Sequence, residues 1–92
     1  MLTKPEREQV AVIEREVSAA LLRRGDVSIL TRVEEGGKHK KVRCFVDGKE
    51  TPRPFVLAGS PGDRMGIMVF KCRVRRVLRE ALAAIGEKRR QP

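Results

Sequence analysis

The dipeptide Asp47-Gly48, set between two stretches in which apolar and polar residues alternate, commits the middle of this chain to a β-hairpin. A type I′ two-residue turn between antiparallel strands needs positive φ at both positions, and Asp followed by Gly accepts that at little steric cost. Upstream, Val27, Ile29, Thr31 and Val33 alternate with Ser28, Leu30, Arg32 and Glu34, the period of a half-buried strand. The alternation resumes over residues 38–46, and Gly36-Gly37 between the two runs predicts a second two-residue turn. A third strand is expected from about Lys49 to Ala58. Pro52 and Pro54 cannot donate ladder hydrogen bonds, so they put that strand at a sheet edge, with Phe55, Val56 and Leu57 as its regular part.

Helices are expected on either side of this meander. Val10, Ile13, Val17, Ala20 and Leu21 recur at helical spacing between Pro5 and Arg24 and make one apolar stripe. Thr3 suits the cap, because Glu6 stands three residues on and Pro5 fits the first turn, and Gly25 is placed to close the helix. The other side interleaves Glu6, Arg7, Glu8, Glu14, Arg15 and Glu16, which reads as a face in water. Farther on, Ser60-Pro61-Gly62-Asp63 has the layout of a helix start, Gly66 is placed to interrupt the first turn, and Gly86 to end the helix. Between them Ile67, Phe70, Val74, Val77, Leu78, Ala81, Leu82 and Ile85 form a continuous stripe. The fold class expected is therefore α+β, in the order α-β-β-β-α: a three-stranded antiparallel sheet with two helices packed on one face. At 92 residues the chain is expected to be a single domain, 1–92, with an ordered core of about residues 4–86 and a flexible tail at 87–92.

The turns also set an expected register. A turn at Gly36-Gly37 pairs Glu34 with His39 and brings Val33, Thr31 and Ile29 opposite Lys40, Val42 and Cys44. A turn at Asp47-Gly48 pairs Val46 with Lys49 and Cys44 with Thr51. One face then collects Val27, Ile29, Thr31, Val33, Val42, Cys44, Val46, Phe55 and Leu57 for the helices to cover. The opposite face carries His39, Lys41, Arg43 and Phe45 on the middle strand, beside Arg32 and Glu34.

Charge is unevenly spread. Residues 1–35 hold six Lys or Arg against seven Asp or Glu, whereas residues 36–92 hold fifteen against five, so the excess behind the net +9 lies downstream. A field of that sign meets polyanions, and RNA recognition uses rows of cations for phosphates with an aromatic for a base. Lys41, Arg43 and Phe45 supply such a row on the sheet, which Lys38 and Lys40 reach only around the strand's end, and Arg75 and Arg79, with Lys71, Arg73 and Arg76, supply a second on the last helix. Arg75 and Arg79, four residues apart, repel each other with only Glu80 beside them, which points to an anion there. A basic adaptor for an acidic protein partner satisfies the same field and stands as an alternative. The last helix has no Asn or Gln between Ile67 and Ile85, which disfavours sequence-specific reading of DNA.

No apolar run approaches the roughly 20 residues that span a bilayer. The first residues lack the layout of a secretory signal, so a cytoplasmic chain with no membrane partner is expected. Cys44 and Cys72 are then reduced and read as small buried hydrophobes. With one histidine and no paired-histidine or phosphate-loop motif, neither a metal nor a cofactor is expected. His39 is the candidate catalytic residue. Imidazole titrates near neutrality and can take the proton of an RNA 2′-hydroxyl, with Lys41 offsetting charge at phosphorus and Glu34 orienting the ring.

Gly-Gly-Lys-His at the start of the second strand, with Ser-Pro-Gly-Asp leading into a basic helix, resembles the HicA family of toxin-antitoxin ribonucleases over about residues 25–80. The resemblance implies a fold like the double-stranded RNA-binding domain and metal-free cleavage of messenger RNA. It also implies an acid or base role for His39, RNA contacts from Lys38, Lys40 and Lys41, and a HicB-like antitoxin partner. The chain departs from that family in reading Gly-Lys-His where members often have Gly-Ser-His. It also reads Leu57-Ala58-Gly59 where many have a further histidine.

Overall fold

The structure, a computed structural model, describes residues 2–36, 39–57 and 64–90. Helix α1 spans Lys4–Arg23 and opens on the expected capping box: Thr3 N–H donates to Glu6 Oε1 at 2.8 Å, and Glu6 N–H donates to the Thr3 hydroxyl at 3.4 Å. It ends one residue early. Arg24 is the C-cap, donating its N–H to the Ala20 carbonyl at 2.9 Å, and Gly25 adopts no left-handed turn; among the described residues only Asp47 and Gly48 have positive φ.

Strand β1 covers Ile29–Glu34, β2 Lys41–Val46, β3 Lys49–Glu50 and β4 Phe55–Val56, and helix α2 runs Arg64–Arg90. The order is that of an α+β fold, with β2 central, β1 on one side and both β3 and β4 antiparallel to β2 on the other. Asp47 (φ 50°) and Gly48 (φ 82°) make the expected two-residue turn, pairing Val46 with Lys49 and Phe45 with Glu50. Thr51 N–H still donates to the Cys44 carbonyl at 2.9 Å. The chain then leaves the ladder at Pro52-Arg53-Pro54 and rejoins two residues out of step, with Phe55 opposite Val42 and Val56 opposite Lys41. The prolines thus split the third strand in two, and the even shift keeps Phe55 and Leu57 on the inner face.

The first hairpin departs from its expected register. Val33 pairs with Val42, Thr31 with Cys44 and Ile29 with Val46, and Glu34 stands opposite Lys41 rather than His39. The ladder ends at Glu34 and Lys41, so the pairing expected across Gly36-Gly37 is not made; Gly37 itself lies outside the described residues. Two distant contacts account for the slip. At one end Ser28 and Asp47 lock together, Asp47 N–H to the Ser28 carbonyl and Ser28 N–H to Asp47 Oδ1, both at 2.8 Å. At the other end Lys40 reaches the Glu6 carboxylate at 3.0 Å while its carbonyl accepts from Leu57 N–H at 2.9 Å, and in the observed register Val42 rather than Lys40 faces Val33.

Both helices cover one face of the sheet. Ile13, Val17 and Ala20 of α1 and Phe70, Val74 and Leu78 of α2 enclose Val27, Ile29, Val42, Cys44, Val46, Phe55 and Leu57. Phe55 and Phe70 meet edge to face with centroids 6.4 Å apart, and full burial of a side chain such as Phe55 or Ile13 contributes about 2 kcal/mol. Thr31 and Val33 were expected in this layer, yet burial along β1 stops at Ile29, because β1 is an edge strand and the helices do not reach over its far half. Cys44 is buried as expected, and burial pushes its thiol up to about 11; Cys72 is exposed on α2.

The expected cap at Ser60 and the end of the third strand at Ala58 lie outside the described residues. Helix α2 is continuous through Gly66 and through Gly86 to Arg90, so neither glycine breaks it and the helix enters the expected tail. A helical glycine costs about 1 kcal/mol, which neighbouring turns absorb. No helix among the described residues is long and apolar enough to cross a membrane.

Candidate functional site

Because residue parity along β2 is kept, the outer face of the sheet carries the side chains the alternation assigns to it: Leu30, Arg32 and Glu34 from β1, and Lys41, Arg43 and Phe45 from β2. Lys41 is exposed, and Phe45 is half-buried between Leu30 on one flank and Glu50 on the other. Arg43 sits at the centre of this face and is held from both sides. Its Nε donates to Glu34 Oε2, and its Nη1 donates to Glu50 Oε1 at 2.7 Å. Those bonds raise the guanidinium further, and the Arg43 hydrogen bond holds Glu34 below the usual carboxylate range.

His39 is exposed in the connection just before β2. Glu34 does not meet it: the two-residue register slip carries Glu34 to Lys41, and Arg43 takes its carboxylate. Among the described residues no carboxylate pairs with the imidazole. Lys38 lies outside the described residues. Lys40 is half-buried, its Nζ 3.0 Å from Glu6 Oε1, which ties the connection to the first turn of α1.

The second basic cluster divides in the same way. Arg75 Nε lies 2.6 Å from Glu16 Oε1, joining the two helices through a carboxylate whose side chain is only 7% exposed. Arg75 thus has an internal partner at Nε, while its side chain stays half exposed beside Arg79. Arg79 is exposed and pairs with nothing among the described residues, and the same holds for Lys71, Arg73 and Arg76.

Glu6 and Glu16, read from the sequence as part of a solvated face, are buried acceptors. The signal was present: Glu16 stands three residues after Ile13 and beside Val17, on the margin of the apolar stripe, and Glu6 is the capping-box residue. Sequence spacing also missed a groove of about 980 Å³ between α2 and the β3–β4 edge. Lys49, Arg53, Arg73 and Arg76 border it over a floor that includes Val77 and Ala81. Its cations come from two segments far apart in the chain, which no local pattern joins. Among the described residues no three His, Cys, Asp or Glu side chains converge as a metal site would require. No family model, curated protein or solved structure matches this chain.

Proposed function

We propose that this chain is a cytoplasmic RNA-binding protein that cleaves the bound strand at His39, in the manner of the HicA-like toxins it resembles, with a HicB-like antitoxin as partner. The supporting observation is the division of the sheet. Two helices cover one face, which leaves Lys41, Arg32 and Phe45 on the open one, with His39 exposed at the end of β2. In this role the imidazole takes the 2′-hydroxyl proton, the 2′ oxygen bonds to phosphorus, and the bond from phosphorus to the 5′ oxygen breaks. The leaving oxygen then takes a proton from the imidazolium. Lys41 offsets the charge that gathers on the phosphoryl oxygens.

A second reading, an RNA-binding module that does not cleave, is favoured by one observation: the carboxylate expected to orient the ring is held by Arg43. The two readings part in a single assay. End-labelled RNA is incubated with the parent and with His39→Ala, and binding is followed separately by fluorescence anisotropy. Cleavage requires that the parent cut the strand while His39→Ala binds with similar affinity and leaves it intact. Binding without cutting by the parent selects the module, and cutting that survives the substitution removes His39 from the chemistry.

A further inference from the structure

The sheet has two outer edges, and only one is protected. At the β3–β4 edge the strands are two residues each, separated by a break that contains Pro52 and Pro54, and such features stop another strand from pairing. The β1 edge has none of them. Its six residues, Ile29–Glu34, include no proline and no lysine, and every residue after Ile29 is exposed, Leu30 at 66% and Val33 at 40%. The bond from Asp47 N–H to the Ser28 carbonyl fixes which backbone groups are used. Ser28, Leu30, Arg32 and Glu34 bond toward β2, so Ile29, Thr31 and Val33 turn their N–H and C=O groups outward.

We infer that β1 pairs antiparallel with β1 of a second copy of this chain about a two-fold axis at Val33, residues 32–34 of the two copies overlapping. Self-complementary charge selects a second copy as the occupant. With Val33 opposite Val33, Arg32 of each copy stands opposite Glu34 of the other, and both pairs lie on the outer face. Glu34 meets Arg43 through Oε2, so Oε1 is left to accept across the edge. An axis at Arg32 instead would set the two Arg32 side chains against each other. The net charge of the chain does not oppose the contact at close range, because residues 1–35, which include β1, carry net −1 and the basic excess lies downstream. Pairing about Val33 keeps like faces on one side, so the two outer faces become one continuous surface. Assembly stops at two, since the edges left at either end are the proline-protected ones.

Sedimentation equilibrium of the full chain from about 1 to about 100 µM tests this, on the parent, Val33→Pro and Arg32→Glu. Val33→Pro removes an N–H that the β1–β2 ladder does not use. The expected result is a monomer–dimer equilibrium in the parent that each substitution weakens roughly tenfold or more. Combining Arg32→Glu with Glu34→Arg is expected to restore it, with helical circular dichroism unchanged throughout. If Val33→Pro fails to fold, the charge series alone decides. A parent that stays monomeric over the range overturns the inference, as does a dimer indifferent to Arg32→Glu.

Discussion

Glu6 serves two contacts with one oxygen: its Oε1 accepts from Thr3 N–H at 2.8 Å and from Lys40 Nζ at 3.0 Å. The Thr3 backbone bond is the largest influence, followed by the Thr3 hydroxyl and Lys40, and together they hold the carboxyl at about 2, below its ordinary 4.5. A carboxyl whose value is depressed on folding stabilises the fold wherever it is ionised in both states. That stabilisation is complete above about 4.5 and is lost as the pH falls from there toward 2. Glu6→Gln is therefore expected to melt below the parent at neutral pH and to converge with it in strong acid. Thermal unfolding followed by circular dichroism across that range checks this; parallel curves for the two proteins would show that Glu6 has no such role. The same contact explains why Lys40 is not a free cation on the surface, since its charge is spent against α1.

At the scale of elements, the two hairpins show what local pattern can and cannot decide. Asp47-Gly48 was legible because positive φ at two successive positions is a demand that few residue pairs meet. The register expected from Gly36-Gly37 is not the one observed, because alternation in β1 and β2 fits two registers equally well when they differ by two residues. The choice rests on Ser28 with Asp47 and on Lys40 with Glu6, contacts between segments that local spacing does not connect. The helix stripes were read correctly for the same local reason, whereas Glu6 and Glu16 became buried acceptors only once cations from elsewhere reached them. The second turn makes a measurable claim. A Cβ at Gly48 meets no atom within 4 Å, so Gly48→Ala is opposed only by its left-handed backbone at φ 82°. The expected loss is about 1 kcal/mol, read as a lower urea midpoint with an unchanged slope; an unaltered midpoint would mean the turn relaxes.

The whole molecule sorts its cations into two kinds. Lys40, Arg43 and Arg75 hold the connection, the outer face and the helix pair together, while Lys41, Arg32 and the α2 residues Arg73, Arg76 and Arg79 are left exposed. Sequence alternation could assign a face to each but not a partner, so it nominated both kinds alike. If the outer face meets RNA phosphates, Lys41 is a contact there and Arg15, exposed on α1, is not. The most direct test is the salt dependence of RNA affinity for the parent, Lys41→Ala and Arg15→Ala, two variants with the same change in net charge. Binding is expected to weaken steeply with salt, and Lys41→Ala to lower the slope of log affinity against log salt by about 1 while Arg15→Ala leaves it as in the parent. Salt-insensitive binding, or equal slopes for the two variants, would contradict the assignment of RNA to this face.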